Sequence, residues 1–410
     1  MISFVIKYKN VRWTIKVILL AALIVTTSGY ALSSVPGNIY YFLLVLPIVL
    51  FLLKKKESLL ETPLNIYISS YLIFCILTII SFAIYRDISS IPKNIKFLIT
   101  ITFAFYFTYH ISFQTFLKYF VLSMKVIVIV SLIGYLLINV INIPINLPKV
   151  VNVNGVEYYN AIIYFAPSKG FGIDRNIGCF WEPGVFSTFI IIALIFEIAL
   201  KKRTSVRNVI IFIVGLLSTQ STSGYLMILF LFILKLSLKH KGFKALINYT
   251  VLILLGALAY LNFNSFATFL YSINPKVFSK LFSESSNFTS RIESSLTNLE
   301  IFFKDPVLGA GIGNADTLFQ SASGAAQTST STYFLAIFGI FGILYTLFFV
   351  YGILSFKSLN IFSRITILIV ILFQINKEPH FFFTSTYIIM FYFLKISSNK
   401  SLRAPLRIDF

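Results

Sequence analysis

Read as apolar against polar positions, the chain is a series of long hydrophobic runs separated by short polar breaks. Runs of roughly 15–25 apolar residues are long enough to cross a bilayer as helices. They fall near 15–33, 38–53, 64–85, 97–111, 119–140, 184–200, 207–220, 223–238, 245–262, 331–355, 364–376 and 381–396. The runs are near-continuous rather than alternating, which predicts helices and not the strands of a membrane barrel. The first run, preceded by Lys7, Lys9, Arg12 and Lys16, resembles a signal peptide. No small-residue cleavage site follows it, so it reads as a first membrane helix.

Two connections are long, about 141–183 and about 263–330. Long connections tend to be functional or disordered; these two mix aromatic, Gly, Pro and charged residues, which predicts order. In the second, Ser290 followed by Glu293 forms a capping-box pattern. Ile292, Leu296, Leu299 and Phe303 then recur at helical spacing, and Pro306 closes the segment. This reading starts a helix at Ser290, places Arg291 in its first turn, and pairs Lys304 with Asp305 at its end. Two short hairpins carry polar tips, Ser218–Gly224 and Asn376–His380. Polar backbone at membrane depth is tolerated only beside protein or water, so the tips line an outward-opening cavity or are ordinary short hairpins.

Composition agrees with the pattern. The 410 residues are 58% hydrophobic and 12% charged, with a mean hydropathy of +0.88, against about a quarter charged in soluble domains. The fold class is therefore all-α, a polytopic membrane bundle of about twelve transmembrane helices. It is one integral membrane domain over 1–410, with two long outer-face loops containing short helices. A net charge of +20 would point to nucleic acid in a soluble protein. With the N-terminus inside, however, most lysines and arginines fall in cytoplasmic segments, as the positive-inside rule requires. The charge is thus a topology signal, and no nucleic-acid partner is expected. Both termini are placed in the cytoplasm. Cys75 falls in a span and Cys179 in an outer loop, so no disulfide is expected.

Few residues outside the spans can carry chemistry. Asp174, Arg175 and Glu182 lie in a glycine-spaced segment that runs through Pro183 into a span. An Arg fork binds phosphate oxygens, or pairs with Asp174 or a lipid headgroup. Pro favours the first helical position, so Glu182 sits at the cap of that helix, where the dipole favours an anion. Arg291 is a second outer-face arginine, on a solvated helix face or in a site. Gly309, Gly311 and Gly313 lack the tail of a phosphate-binding loop and read as a tight turn. Tyr158, Tyr159 and Trp181 are outer-face aromatics of the kind that stack on sugars. His110, His240 and His380 are scattered, so no metal site built by the protein is expected.

These residues carry a resemblance to the O-antigen polymerase (Wzy) family and to the related O-antigen ligases. Arg175-Asn-Ile-Gly178-Cys-Phe180-Trp-Glu182-Pro183-Gly184 looks like that family's start of a span, and Ser221-Thr-Ser-Gly224-Tyr225 is similar to its serine-rich tip. Arg291, Phe302, Pro306, Gly309 and Gly311 resemble its second outer loop, and Ser331–Gly342 the span that follows. The resemblance implies metal-independent glycosyl transfer without a cofactor at the outer face of a bacterial cytoplasmic membrane. A growing glycan would pass from polyprenyl pyrophosphate to the terminal sugar of another lipid-linked repeat unit. Implied partners are these lipid-linked oligosaccharides, membrane lipid and a chain-length regulator protein. Carried over, Arg175 and Arg291 hold pyrophosphate, and Glu182 orients an arginine or accepts a proton. Asp174, Tyr158, Tyr159, Trp181, Lys304, Gly309 and Gly311 lie about the substrate. The ligases resemble one another in a His near the end of the second loop. Thr328–Thr332 has none, which favours polymerase. A lipid-linked oligosaccharide flippase is the alternative from another class, but it would carry charged or broken helices near the membrane midplane.

Overall fold

The computed structural model describes residues 29–31, 65–141, 146–151, 157–161, 164–169, 175–239, 247, 250, 268, 271–272, 287–323 and 327–398. The runs near 15–33, 38–53 and 245–262, and Asp174 and His240, lie wholly or mostly outside these residues.

The described chain is mostly helical. Its helices are α1 (Ile66–Tyr85), α2 (Ile91–His110), α3 (Phe113–Tyr135), α4 (Pro183–Ile195), α5 (Val206–Ser218), α6 (Thr222–Lys239), α7 (Asn287–Lys304), α8 (Ile312–Ala322), α9 (Thr330–Phe338), α10 (Ile343–Leu354), α11 (Ile361–Ile375) and α12 (Thr384–Ser398). Single π-turns extend α3 to Val140 and α4 to Leu200. Among the described residues five helical stretches have the length and apolar composition to cross a membrane: Ile66–Tyr85, Phe113–Val140, Pro183–Leu200, Thr222–Lys239 and, with α9 and α10 taken together, Thr330–Leu354. This is a membrane-embedded helical protein.

α4 is the centre of the packing. Its sequence is apolar on every side, and all its residues are buried, as a helix without a polar stripe must be. α3, α5, α6 and α11 pack around it. α12 fills the space between α1, α2 and α10, with Phe74, Phe97, Phe334, Phe381, Tyr345 and Tyr387 forming an aromatic cluster.

Helix ends sort onto two sides. On one side Lys395 donates to the carbonyls of Thr108 (2.6 Å) and Tyr109 (3.1 Å), and Asn360 donates to Ser237 O at 2.7 Å. There too, buried Glu197 accepts from Lys201 (3.1 Å), Ser205 N (2.7 Å) and Asn208 (3.2 Å). On the other side Tyr85 donates to Asp305 at 2.9 Å, and Lys93 pairs with Asp316. The second side carries both long loops, and is called the loop side below.

Three expectations are corrected here. First, the 141–183 loop contains a sheet rather than short helices. β1 (Lys149–Val151), β2 (Glu157–Asn160) and β3 (Phe165–Lys169) are antiparallel in that order, with Lys149 opposite Tyr159 and Asn160 opposite Phe165. Strands this short give no readable alternation. The sheet is held by tertiary bonds: Phe165 N donates to Gly178 O at 2.8 Å, and the Tyr158 hydroxyl donates to Trp181 O at 3.0 Å. Second, the 331–355 run is not one straight span. α9 and α10 are separated by a 3₁₀ turn at Gly339–Gly342, and a Cβ on Gly342 would lie 2.1 Å from Phe334 O. The chain therefore turns back sharply there. Third, α7 starts at Asn287, so Ser290 lies inside it and Arg291 falls in its second turn. The capping-box pattern is not its cap.

Candidate functional site

The segment 175–182 lies across the loop-side start of α4 and is pinned at both ends. Asn176 N donates to Ser218 O at 3.0 Å, and the Asn176 amide donates to Ser218 Oγ (2.9 Å) and Ser131 Oγ (3.2 Å). Gly178 turns the chain at φ +60°. Further on, Ala31 N donates to Cys179 O and Trp181 N to Gly29 O, each at 3.0 Å. Cys179 is fully buried, and burial pushes its thiol pKa up. Half-buried Arg175 donates from Nε to Thr219 O at 3.1 Å, on the tip between α5 and α6.

Glu182 is the N-cap residue of α4, but its exposed carboxylate makes no capping hydrogen bond. The carboxylate set against the first turn comes from far along the chain. A Cβ on Gly184 would lie 2.0 Å from Glu378 Oε1, so Gly184 supplies the niche that Glu378 fills. The Glu-Pro-Gly sequence leaves room for this: Pro183 begins the helix without an N–H, and Gly184 removes the side chain.

Beside Glu378, the Lys377 amine reaches three oxygens: Ser187 Oγ (2.9 Å), Ser221 Oγ (3.1 Å) and Gly184 O (3.3 Å). An ammonium has three donors, and each has an acceptor here. Ser221 precedes α6 and also accepts from Gly224 N at 3.4 Å. Lys377 therefore ties the starts of α4 and α6 to the α11–α12 connection. Lys377 and Glu378 are only 4% and 2% exposed, so these polar tips are packed against protein below the surface. His380 follows, fully buried, its Nδ1 2.9 Å from Thr386 Oγ1. Burial first, and the Lys377 charge second, hold its imidazole down at about 3, so it is neutral at ordinary pH. Lys96 of α2 lies over the Phe382 ring at 4.5 Å.

The second loop reaches the same place through a polar strap. On α7, Ser294 donates to Gln327 Oε1 at 2.7 Å, and the Asn298 amide donates to Gln327 Oε1 (3.0 Å) and Thr332 Oγ1 (3.1 Å). The strap then docks on the α11–α12 tip: Ser331 N donates to Asn376 Oδ1 at 2.7 Å, and Thr330 Oγ1 to Glu378 O at 3.1 Å. Position 291 lies three residues before Ser294 and seven before Asn298, on the same face of the helix. The Arg291 and Arg175 segments are thus joined through Gln327, Thr330 and Glu378.

The remaining sequence candidates divide. Tyr158 is buried in the sheet and edge-on to Phe165, so its ring is committed to packing rather than to a sugar. Tyr159 is half-exposed, with Lys149 Nζ 5.2 Å from its ring centre. Half-exposed Trp181 lies against Phe383 at 5.3 Å. Among the described residues no ion pair joins Lys304 to Asp305; Asp305 instead accepts from Tyr85. Gly309 (φ +71°) and Gly311 (φ +75°) are backbone contacts: Ala310 N donates to Ala336 O at 2.8 Å and Gly311 N to Ile337 O at 3.0 Å. Among the described residues no group of three or more His, Cys, Asp or Glu side chains could hold a metal ion. The chain matches no protein-family model and no curated protein.

Proposed function

We propose that this protein is a membrane glycosyltransferase that polymerises polyprenyl-pyrophosphate-linked oligosaccharide repeat units at the outer face of a bacterial cytoplasmic membrane. The observation that carries this reading is the joining of the Arg175–Glu182 segment, through Lys377 and Glu378, to the strap that holds the Arg291 helix. These groups sit at helix ends on the loop side, which this reading takes as the outer face where a lipid-linked pyrophosphate would lie, and not at mid-helix as in a transporter.

In this reading the acceptor hydroxyl forms a bond to the anomeric carbon as the bond from that carbon to pyrophosphate breaks. The leaving group gains negative charge, and cations aimed at that charge lower the barrier. Arg175 and Arg291 are assigned to it. The acceptor proton needs a base within reach. Exposed Glu182 is assigned to it in preference to buried Glu378. Lys377 keeps the α5–α6 tip, and with it the Thr219 carbonyl that holds Arg175, in place.

The test is the glycan ladder of a deletion strain carrying variants. Arg175→Ala and Arg291→Ala each remove charge-assisted bonds of about 1.5–3 kcal/mol, roughly a tenfold to hundredfold loss. The expected result is single repeats on the lipid anchor in place of long chains, with Lys at either position restoring part of the polymer. Long chains in both Ala variants would overturn the pyrophosphate assignment. In the deletion strain itself, polymer left on its polyprenyl carrier would indicate a ligase, and loss of outer-face single repeats a flippase.

A further inference from the structure

The residues α7 turns toward the protein are mostly polar. Ser294, Thr297 and Asn298 are buried with Ile301. Its apolar residues point away: Ile292, Leu296 and Phe303 are 45%, 53% and 71% exposed. At about 100° per residue, positions 292, 296 and 303 form one stripe, with the protein-facing residues across the axis. Glu293, Glu300 and Lys304, all exposed, form a charged flank between the two. A helix lying between protein and water shows the reverse order, apolar inward and polar outward. Three faces of different character fit three surroundings: protein, hydrocarbon and water.

The apolar surface does not stop with the helix. Val307 and Leu308 in the following turn are exposed, as are Ile340 and Phe341, which reach the turn through the bond from Ile340 N to Pro306 O at 2.8 Å. That turn is fixed to the loop-side end of α1, where the Tyr85 hydroxyl donates to Asp305 Oδ2 at 2.9 Å and lies against the Gly309 carbonyl. α1 is one of the membrane-crossing helices, and its last turns expose Ile79, Ile80, Phe82 and Ile84. The turn that ends α7 is thus fixed at the loop-side end of a span whose last turns also expose apolar side chains. Exposed apolar area of this extent marks an interaction surface.

We infer that α7 is an interfacial helix. Ile292, Leu296 and Phe303, with Val307 and Leu308, are seated among the acyl chains of the loop-side leaflet, and Glu293, Glu300 and Lys304 lie in the headgroup water. The second long loop is then anchored in the membrane instead of standing clear of it. A consequence, which rests on the proposed function, is that the Arg291 helix is held at headgroup depth, where the pyrophosphate of a lipid-linked glycan must sit.

The test uses the full chain in vesicles of phosphatidylethanolamine and phosphatidylglycerol. In a Cys75→Ala background, L296C, F303C and E300C are each labelled with bimane. Phospholipid with brominated acyl chains should quench the labels in L296C and F303C, while aqueous iodide should not; E300C should behave in the opposite way. Iodide quenching of L296C and F303C would put the stripe in water and overturn the inference. Shielding of both from both quenchers would overturn it in favour of a protein cover, either the segment between α6 and α7 or a second copy of the chain. None of these readings depends on sugar transfer. Lipid quenching together with a full glycan ladder in the Arg175 and Arg291 variants would keep this inference and remove the functional one.

Discussion

Lys377 shows how a single side chain can define a site. Its amine has three oxygen acceptors, drawn from α4 and from the residue that opens α6. Burying a charge is costly unless it is hydrogen-bonded and balanced, and Glu378 lies beside it in the niche left by Gly184. Removing one member of a buried charged set leaves the other uncompensated, at about 3–5 kcal/mol. Lys377→Met should therefore lower thermal stability in detergent by an amount of that order. Lys377→Met with Glu378→Gln should recover a good part of it, because the remaining carboxamide carries no charge. A double variant no more stable than the single one would mean that Lys377 and Glu378 do not balance each other. The sequence marks Asn376–His380 as a polar tip, but it does not reveal that charge is buried there. That burial depends on a glycine and two serines supplied from 156 or more positions away.

At the scale of elements, the long apolar runs were readable because a bilayer-length helix needs no partner to declare itself. Each run that falls within the described residues lies on helix, with bounds within six residues of the expected ones, and 331–355 is divided between α9 and α10. Arg175 to Gly184 was readable as a segment for a related reason: Glu-Pro-Gly is a local helix-start signal, and Glu182 is the N-cap residue. The sheet of the first loop, the start of α7 and the break between α9 and α10 were not, since each is set by contacts distant in sequence. The break is the clearest case. Gly309 and Gly339 meet backbone to backbone: a Cβ on Gly309 would lie 2.4 Å from Gly339 N, and one on Gly339 2.4 Å from Val307 O. Both also have positive φ, +71° and +58°, where Ala is strained. Backbone cannot rotate out of the way as a side chain can. Gly→Ala at a compatible position stabilises by about 0.4–1 kcal/mol and at an incompatible one destabilises by more, so Gly309→Ala and Gly339→Ala should each lower stability by more than ~1 kcal/mol. Because both open the same contact, the double variant should show a coupling of about 0.5–3 kcal/mol in a thermal-stability cycle. Strict additivity would separate the two positions and remove this account of the break.

Over the whole molecule, two independent signals give the same division into sides. Lys201, Lys202, Arg203, Arg207, Lys235, Lys239, Lys357, Arg364 and Lys395 all lie at or beside helix ends of the side opposite the loops. Contacts place Lys395 with Thr108, and Asn360 with Ser237, on that same side. The mixed-charge ends, with Asp305, Asp316 and Glu182, fall on the loop side. The orientation we propose follows from retention of lysine and arginine in the cytoplasm, which would turn this two-sided object so that the candidate site faces out. Substituted cysteines test this in spheroplasts of a Cys75→Ala background, using a membrane-impermeant maleimide. Lys304→Cys and Asn314→Cys, both at exposed loop-side positions, should react in intact spheroplasts. Lys202→Cys and Lys357→Cys, exposed on the opposite side, should react only after permeabilisation. If the two pairs exchanged behaviour, the site would face the cytoplasm, where nucleotide sugars rather than lipid-linked glycans are the usual donors, and the polymerase reading would fall with the orientation. If the members of one pair behaved differently from each other, the division into sides would itself be wrong. The first outcome corrects the function and leaves the fold intact, whereas the second corrects the fold.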